Sequence, residues 1–328
     1  MRRLSILLAT LCLAIATGSF NAAAQDTKKV WRIGTLFNGS PETHGHYLRW
    51  YSEGFARLGY VQGRDYVFVS RWGRGQQDRV PALARDLVAA KVDLIMANGG
   101  TPVRSVARAT KRIPIVVGSA SGLGTWGFVK TLAKPGGNVT GSTAFDPGLE
   151  GKRLDLLREV AKGAKRIGFM FQPKKRGRAE FGRTKTAGQK LGVEIKPFAI
   201  RSLGDIEGAF QEPETNDRVD ALILSSGAIV YFNRKRIAAL VKLRKLPTIC
   251  ARQKIKNTGC LIAYVPDRRV MNRRAAIFAD KIFKGAYPGD LPVERPTKYT
   301  LVVNLKLARA IGITVPSSLL LRADEVIE

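Results

Sequence analysis

The apolar residues of this chain recur in a fixed order from position 30 onward: a short β-branched run, a polar loop, then an apolar stripe at helical spacing. The pattern predicts a strand over residues 30–37, a helix over 44–58 that ends at Gly59, and a second strand over 66–70. The next helix carries its apolar residues at i, i+3, i+4, i+7 and i+8, namely Val80, Leu83, Ala84, Leu87 and Val88. Further strands are predicted at 92–97, 113–117 and 139–142. This alternation predicts parallel strands covered by helices on both faces.

The same order begins again after Asp146-Pro147-Gly148. A helix around Leu154, Leu157 and Val160 precedes predicted strands at 166–171, 193–198, 221–224 and 247–250. A helix with Met271, Phe278 and Ile282 inward and a last strand at 299–303 follow the second set, and we interpret them as returns to the lobes. The predicted fold class is α/β, with two doubly wound parallel-sheet lobes joined by a multi-crossing hinge. We expect an N-terminal lobe of residues 25–143 plus 267–297 and a C-terminal lobe of 144–266 plus 298–328.

The first 24 residues have the pattern of a secretory signal peptide. Arg2 and Arg3 precede an apolar run over 4–16, and Ala22-Ala23-Ala24 fits the small-residue cleavage site. Cys12 follows a leucine rather than a small residue, which disfavours a lipid-anchored cysteine. No later stretch reaches the roughly 18 apolar residues of a membrane span. We therefore expect export to the periplasm by the general secretory route, with a mature N-terminus near Gln25.

The chain is strongly basic, with 55 Lys and Arg against 26 Asp and Glu and a formal net charge of +29. Two clusters stand out: Lys174, Lys175, Arg176, Arg178, Arg183 and Lys185, then Arg234, Lys235, Arg236, Lys242, Arg244 and Lys245. Neither cluster is interleaved with the aromatic residues that stack on bases, and export separates the protein from DNA. No specific nucleic-acid partner is predicted. A solvated face and an anionic surface or partner both remain open as explanations of the clusters.

The sequence offers little catalytic chemistry. Its two histidines, His44 and His46, stand near the start of one helix without a third metal ligand, so we favour an exposed helix start over a metal site. The G-x-S-x-G motif of serine hydrolases is absent, and no histidine follows Ser225-Ser226 to complete a triad. We therefore predict no catalytic residues, no metal and no cofactor, and a protein that is not an enzyme.

One glycine motif keeps a nucleotide-dependent enzyme as an alternative. Gly122, Gly124 and Gly127 spell G-x-G-x-x-G after a predicted strand, and Asp146 follows at about the distance of a ribose-binding acid. Trp126 places a large ring inside the turn, and Pro135-Gly136-Gly137 would cut a following helix short. The context therefore disfavours a dinucleotide site.

Cys250 ends a predicted strand and Cys260 starts another. In an oxidising compartment the two thiols can pair, closing a small loop. Two buried free thiols are the equally weighted alternative.

Small polar residues gather where the predicted strands end. These loops are 38–40, 98–101, 119–124, 142–143 and 225–227. Parallel α/β sheets bind ligands beyond the carboxyl ends of their strands, so the loops predict a small-molecule site between two lobes. Thr101 as the cap and Pro102 as the first helical residue would direct backbone N–H groups at a carboxylate, although an ordinary capped helix explains them as well.

The chain resembles a known family from about residue 31 to 328. The resemblance is carried by Glu53-Gly54-Phe55-Ala56-Arg57-Leu58-Gly59-Tyr60, by Leu132-Ala133-Lys134-Pro135-Gly136-Gly137-Asn138-Val139-Thr140-Gly141, by Gly151-Lys152-Arg153-Leu154, by Leu291-Pro292-Val293-Glu294-Arg295-Pro296-Thr297-Lys298, and by the ending from Pro316-Ser317-Ser318 to Glu328. It is similar to the solute-binding proteins of bacterial ABC transporters with the type I periplasmic-binding-protein fold, in the branch that includes tryptophan-like binders.

This resemblance implies a monomer that binds a solute between its lobes and delivers it to ABC permease subunits. A periplasmic receptor that feeds a signalling partner is the alternative. The implied ligand-binding residues are Asn38, Gly39, Ser40, Gly99, Gly100, Thr101, Ser121, Gly122, Thr143, Gln172, Ser225, Lys254 and Tyr264. The chain departs from the family pattern where Gly122-Leu123 replaces Asp-Pro and Lys254 replaces a glutamate. Because both changes remove an acid, we expect a small organic ligand, with an aromatic or other carboxylic acid favoured over an amino acid.

Overall fold

The computed structural model describes residues 29–211, 218–225, 227–251, 255 and 258–328. The predicted signal peptide lies outside them. The strands are β1 Trp31–Phe37, β2 Tyr66–Trp72, β3 Leu94–Asn98, β4 Ile115–Ala120, β5 Val139–Thr143, β6 Arg166–Phe171, β7 Glu194–Ala199, β8 Ala221–Leu224, β9 Thr248–Cys250, β10 Ile262–Pro266, β11 Tyr299–Asn304 and β12 Glu325–Ile327. The helices are α1 Pro41–His44, α2 His46–Ala56, α3 Val80–Ala89, α4 Gly100–Ala109, α5 Leu149–Val160, α6 Lys175–Lys190, α7 Gly204–Gly208, α8 Ala228–Phe232, α9 Arg234–Leu243, α10 Arg268–Phe283, α11 Leu305–Ile311 and α12 Ser317–Leu320.

The first sheet has five parallel strands in the order β2-β1-β3-β4-β5. Strands β3, β4 and β5 are fully buried because helices cover both faces, whereas the edge strand β2 is mostly half-buried. One face packs on α3 and α4, with Leu87 and Val106 in its core. The other face packs on α2 and α10, where Tyr51, Phe55 and Phe278 are buried. Helix α10 thus packs on the first sheet, although it follows five of the seven strands of the second sheet in the chain.

The second sheet has seven strands in the order β12-β11-β10-β9-β8-β6-β7. It holds a core of its own, which includes Leu154, Phe169, Ile223 and Ile262. Helices α5 and α6 pack together, as do α9 and α11. Two separate cores around two sheets confirm the predicted α/β fold of two lobes.

The chain passes between the two sheets three times. It leaves the first sheet through residues 144–148, returns to it at Asp267 and leaves again through 295–298. The crossings are tied together, because the Asp267 N–H donates to the Lys298 carbonyl (2.9 Å) and the Thr143 N–H donates to the Glu294 carbonyl (2.8 Å). Asp267 also caps α10, accepting from the Val270 N–H at 3.0 Å. These links form the multi-crossing hinge.

Strand β11 departs from the parallel arrangement. It pairs antiparallel with β10 and parallel with β12. The reason is topological: β10 runs toward the hinge, and β11 enters the sheet from the hinge, so adjacent strands point in opposite directions. The three-residue strand β12 at the edge was not predicted.

The helix predicted over 44–58 is divided. A short turn, α1, ends at Gly45, and α2 begins at His46. Ser40 and Thr43 form a capping box at the start of α1, which nucleates a helix before the predicted position. Among the described residues, no helix is both long and apolar enough to cross a membrane.

Cys250 and Cys260 form a disulfide with Cα atoms 5.9 Å apart. It joins the end of β9 to the residue before β10, and both cysteines are buried. Of the two alternatives left open by the sequence, the structure has the paired one. In the loop-entropy model a bridge of this length stabilises the fold by about 3 kcal/mol.

Candidate ligand site

The predicted site residues of the first sheet stand at one edge, where its parallel strands end. Asn38, Gly39 and Ser40 follow β1, and the Asn38 Oδ1 atom is buried without a hydrogen-bond partner. The Asn38 carbonyl accepts from the Gly75 N–H at 2.7 Å, which fixes the loop against the segment after β2. A Cβ on Gly39 would stand 2.0 Å from His44 Nδ1, so a side chain at this position would displace the His44 ring. His44 therefore packs on the loop rather than projecting alone from a helix start.

A buried polar group fixes the end of β3. The Asn98 side chain donates to the Tyr51 hydroxyl and to Asn272 Oδ1, the latter at 2.8 Å. Tyr51 is fully buried, and burial raises the pKa of its hydroxyl well above the ordinary value. Because these contacts hold the Asn98 side chain inside the lobe, the loop beyond it offers main-chain groups to a ligand.

The prediction that Thr101 caps α4 and that Pro102 is its first residue was wrong. The helix begins at Gly100, and its cap is Gly99 with φ +79°, a left-handed conformation that glycine adopts without steric cost. Thr101 therefore lies in the first turn and Pro102 in the third helical position. The N–H groups of Gly100 and Thr101 remain available at the helix N-terminus, while Pro102 has none.

The glycine motif after β4 forms a tight turn instead of opening an α-helix. Residues Leu123–Thr125 make a 3₁₀ turn, with Leu123 buried in the core. A dinucleotide fingerprint requires its glycines to lead into a helix whose N-terminus holds the pyrophosphate. The geometry therefore does not support the nucleotide alternative. Ser121 is exposed at the start of this turn, and Gly122 is half-buried.

Trp126 is the residue that the sequence interpretation missed. Its indole covers Gly122: a Cβ on Gly122 would stand 2.3–2.5 Å from three ring atoms. The Arg104 guanidinium stacks on the same ring, 5.1 Å from its centroid. A Cβ on Gly100 would lie 3.0 Å from Arg104 Nη1 and 3.5 Å from Trp126 Cζ2. Arg104 and Trp126 thus occupy the space between the loops after β3 and β4.

Thr143, at the end of β5, uses its hydroxyl internally. The hydroxyl donates to the Ala120 carbonyl (3.1 Å) and accepts from the Phe145 N–H (3.2 Å). These bonds hold the first hinge segment against β4. Any ligand contact at this position would compete with them.

The second sheet places its predicted residues at its own hinge-facing edge. Gln172 follows β6 and Ser225 follows β8, and the Gly227 position lies within 3.6 Å of both. Ser225 is buried, and its hydroxyl accepts from the Gly227 N–H at 3.4 Å. Lys254 lies outside the described residues.

Tyr264 lies in β10, beside the hinge. Its ring stacks on Tyr299 with centroids 5.1 Å apart and an interplanar angle of 14°. Its carbonyl accepts from Arg153 Nε at 3.0 Å. Burial, followed by the charges of Asp146 and Asp324, raises the pKa of the Tyr264 hydroxyl. The ring is half-buried, so one part of it remains open to a ligand.

Arg153 belongs to a buried ionic group that also contains Glu150 and Glu180. Arg153 Nη1 lies 4.0 Å from Glu180 Oε1, and all three residues are buried, at most 7% exposed. Burial lowers the pKa of Arg153 and raises that of Glu180, and their mutual attraction opposes both shifts. Arg183 closes the group with an ion pair to Glu150 at 2.9 Å. The group positions Arg153, which holds the backbone of β10 at the hinge.

Comparison with known proteins decides the family. The model of the ABC transporter substrate-binding protein family matches residues 49–327. The chain belongs to this family. The tyrosine-binding protein of Clostridioides difficile strain R20291 is 22% identical over 254 residues, which covers 77% of this chain and 72% of that protein.

Solved structures share the fold of this substrate-binding protein. The Streptococcus pneumoniae ABC domain in complex with L-Trp has a TM-score of 0.77 at 24% identity, covering 91% of this chain and 100% of that one. A ligand-free, open substrate-binding protein with adhesive properties from Clostridium difficile has a TM-score of 0.79 at 22% identity, covering 91% of this chain and 99% of that one.

Proposed function

We propose that this protein captures a small organic ligand between its two lobes and delivers it to the permease of an ABC importer. The observation that carries the proposal is that both sheets end, at the hinge, in loops of small polar residues. The Asn38 Oδ1 atom and the N–H groups of Gly100 and Thr101 offer hydrogen bonds from the first sheet. Ser225 and Gln172 offer them from the second. A ligand bound by both sides favours the closed form by its higher affinity for that state.

The lobes in this proposal consist of residues 25–143 with 267–297 and residues 144–266 with 298–328. The proposed binding residues are the thirteen named in the sequence analysis: Asn38, Gly39, Ser40, Gly99, Gly100, Thr101, Ser121, Gly122, Thr143, Gln172, Ser225, Lys254 and Tyr264. The names of the relatives support an aromatic solute, since one is called tyrosine-binding and another was solved with L-Trp. The protein acts as a monomeric binding protein and not as an enzyme.

The protein reaches the periplasm through the signal peptide at residues 1–24. The family is one of transport proteins that meet their solute outside the cytoplasm, and the sequence pattern supplies the export signal. N-terminal sequencing of the exported protein should read from Gln25 or within a few residues of it. Recovery of intact Met1, or of a lipid on Cys12, from the periplasm would contradict the assignment.

Small-angle scattering tests closure. The purified protein is mixed with a metabolite extract, and the radius of gyration is measured before and after dialysis. We expect a smaller radius with ligand, and mass spectrometry of the released molecules identifies it. An unchanged radius at saturating ligand would refute closure between the lobes.

Paired variants separate the contributions of the two lobes. Asn38→Ala removes a contact from the first lobe and Gln172→Ala one from the second, and each should weaken binding of the identified ligand by about tenfold. Ser52→Ala is the matched control, because the Ser52 hydroxyl binds Gln62 on the outer side of α2, at 3.2 Å. Equal affinity of all three variants would contradict a site between the lobes.

A further inference from the structure

Carboxylates are absent from long stretches of the sequence that form the ligand loops. No Asp or Glu occurs between Asp93 and Asp146, the stretch that forms β3, β4, β5 and the loops at their carboxyl ends. None occurs between Asp220 and Asp267, the stretch that forms β8, β9 and β10. A buried ammonium group requires an anionic partner, since an unpaired charge away from water is costly. These loops provide no such partner.

Two carboxylates that border the site, Asp146 and Glu42, are engaged elsewhere. Asp146 accepts from the Tyr299 hydroxyl and from the Gly148 N–H, the latter at 2.9 Å. Glu42 projects into solvent from α1. The Ser40 hydroxyl and the backbone of Glu42 lower the pKa of its carboxyl, and the charge of Arg74 adds to the effect. Neither group is free to face an ammonium deep between the lobes.

Arg104 is a half-buried cation in the same region. In the described part of the chain, no carboxylate forms an ion pair with it. Burial lowers the pKa of its guanidinium, and the charge of Arg108 lowers it further. A partly desolvated cation with no counter-charge favours an anion beside it. Its Nη1 atom lies beside Gly100, at the N-terminus of α4, so an anion bound by Arg104 would also be near the N–H groups of Gly100 and Thr101.

Trp126 holds the guanidinium in place. The ring carries Arg104 at 5.1 Å from its centroid and fills the space that a side chain at position 122 would need. An acidic side chain at position 122 is therefore incompatible with this placement of the indole. The same packing that orients Arg104 also leaves no room for a carboxylate side chain at position 122.

We propose that Arg104 is the anion-recognising residue of the site and that the ligand is an aromatic carboxylic acid without an ammonium group. Arg104 binds the ligand carboxylate, and Trp126 is a positioning residue that orients the guanidinium. This inference rests on the proposed function and narrows it to a class of ligand. It distinguishes this chain from a binder of zwitterionic amino acids.

Three probes that share an indole ring test the ligand class: indole-3-propionate, L-tryptophan and tryptamine. Isothermal titration calorimetry on the wild-type protein gives their affinities. We expect indole-3-propionate to bind at least tenfold more tightly than L-tryptophan, because the ammonium has no anionic partner, and tryptamine to bind most weakly. Tighter or equal binding of L-tryptophan would overturn the inference.

Two arginines one turn apart on α4 make a matched pair. Arg104→Gln should weaken indole-3-propionate binding on the order of 10- to 100-fold, the size of a lost hydrogen bond to a charged group. Arg108→Gln, at an exposed position on the same helix, should change it less than about twofold. Arg104→Lys should recover part of the loss. Equal losses in the two glutamine variants would mean that net charge, and not Arg104, attracts the ligand.

The variant Trp126→Leu tests whether Trp126 orients the Arg104 guanidinium or only stabilises the fold. A loss of stability alone would weaken the binding of indole-3-propionate and of L-tryptophan by the same factor. Displacement of the Arg104 guanidinium would instead reduce the ratio of the two affinities. We expect the ratio of the affinities for indole-3-propionate and L-tryptophan to fall several-fold. If the Arg104 variants do not fold, the ranking of the three probes on the wild-type protein still tests the ligand class. An unchanged ratio would remove Trp126 from the inference.

The failures of the two proposals are distinguishable. If a metabolite extract shrinks the radius of gyration but indole-3-propionate does not bind, the ligand class is wrong and the binding function stands. If neither the extract nor any probe changes the radius, the proposed function fails, and the inference with it.

Discussion

The hydroxyl of Tyr299 donates a hydrogen bond to the carboxylate of Asp146 and so joins two hinge crossings. Asp146 lies on the segment that leaves the first sheet, and Tyr299 begins the strand that re-enters the second. Burial, then the bond to Asp146, raises the pKa of the Tyr299 hydroxyl well above its ordinary value, so it remains a donor at neutral pH. The stacked ring of Tyr264 supports it from one side.

Tyr299→Phe removes this bond while keeping the ring. We expect the free energy of unfolding to decrease by about 1–3 kcal/mol, as for a hydrogen bond to a charged group. Urea denaturation measures the change. Tyr264→Phe is the control, since it keeps the stacked pair and leaves the Asp146 bond intact. Equal losses in both variants would show that the hydroxyl of Tyr299 contributes nothing particular to the hinge.

Gly122→Ala should disturb the ligand site through Trp126. The new methyl group would stand 2.3 Å from the indole, so the ring must move and Arg104 must move with it. We expect about tenfold weaker ligand binding by calorimetry. Gly124→Ala is the control, because its Cβ would meet only Leu132, at 3.4 Å.

A double variant tests the mechanism of this loss. In Gly122→Ala/Trp126→Leu the clash is gone, so the two substitutions should not be additive. Additive losses would mean that Gly122 acts independently of the indole.

Gly99→Ala should weaken the start of α4 by backbone strain alone. An added Cβ at Gly99 would have no atom within 4 Å, so the methyl group causes no clash. The strain comes from the backbone, because an alanine rarely adopts φ +79°. We expect a loss of about 1–2 kcal/mol in unfolding free energy. Gly151→Ala also has open space but lies within helix α5 at ordinary φ, and it should gain about 0.4–1 kcal/mol. Losses of the same size in both variants would contradict the strain argument.

Tyr60 makes the stability of the fold decrease with pH in the alkaline range. Its hydroxyl donates to Asp280 at 2.9 Å, and burial, then this bond, raises its pKa from 10.0 to about 12. Because the unfolded chain releases the proton at lower pH, the stabilisation is complete below pH 10 and is lost as pH rises from about 10 to 12.

The measurement compares wild type with Tyr60→Phe by urea denaturation between pH 8 and pH 11. The stability advantage of the wild type should shrink across the upper part of this range. Tyr287→Phe, at an exposed tyrosine, is the control for general alkaline effects. An advantage that grows with pH would have the wrong sign and would reject the assignment.

The positions of most strands along the chain could be predicted because most of them are buried on both faces. Arg166–Phe171 and Ala221–Leu224 have the predicted bounds, since an apolar run between polar loops has only one plausible extent. β12 could not be predicted, because Glu325–Ile327 is short and exposed at the sheet edge, with no apolar alternation to mark it.

The sequence predicted which loops stand at the edge of each sheet, where the candidate site lies, but not the contacts within those loops. Loops at strand ends follow from topology, and so Asn38 and Ser225 could be named from sequence. The stacking of Arg104 on Trp126 depends on how a turn folds back over a helix, and no local pattern encodes that. The Gly99 cap depends on a φ angle that a Gly-Gly pair permits but does not require.

The late position of α10 has a consequence for synthesis. All five strands of the first sheet have been synthesised by residue 143. The helix that covers one of their faces is not made until residues 268–283. Until then Ile33, Met96 and Val116 lack the apolar cover of Ala275 and Phe278. One apolar face of the nascent first sheet therefore stays uncovered while strands β6 to β10 of the second sheet are translated. A chain truncated after residue 266 should therefore aggregate or bind chaperones, even though it contains all five strands of the first sheet.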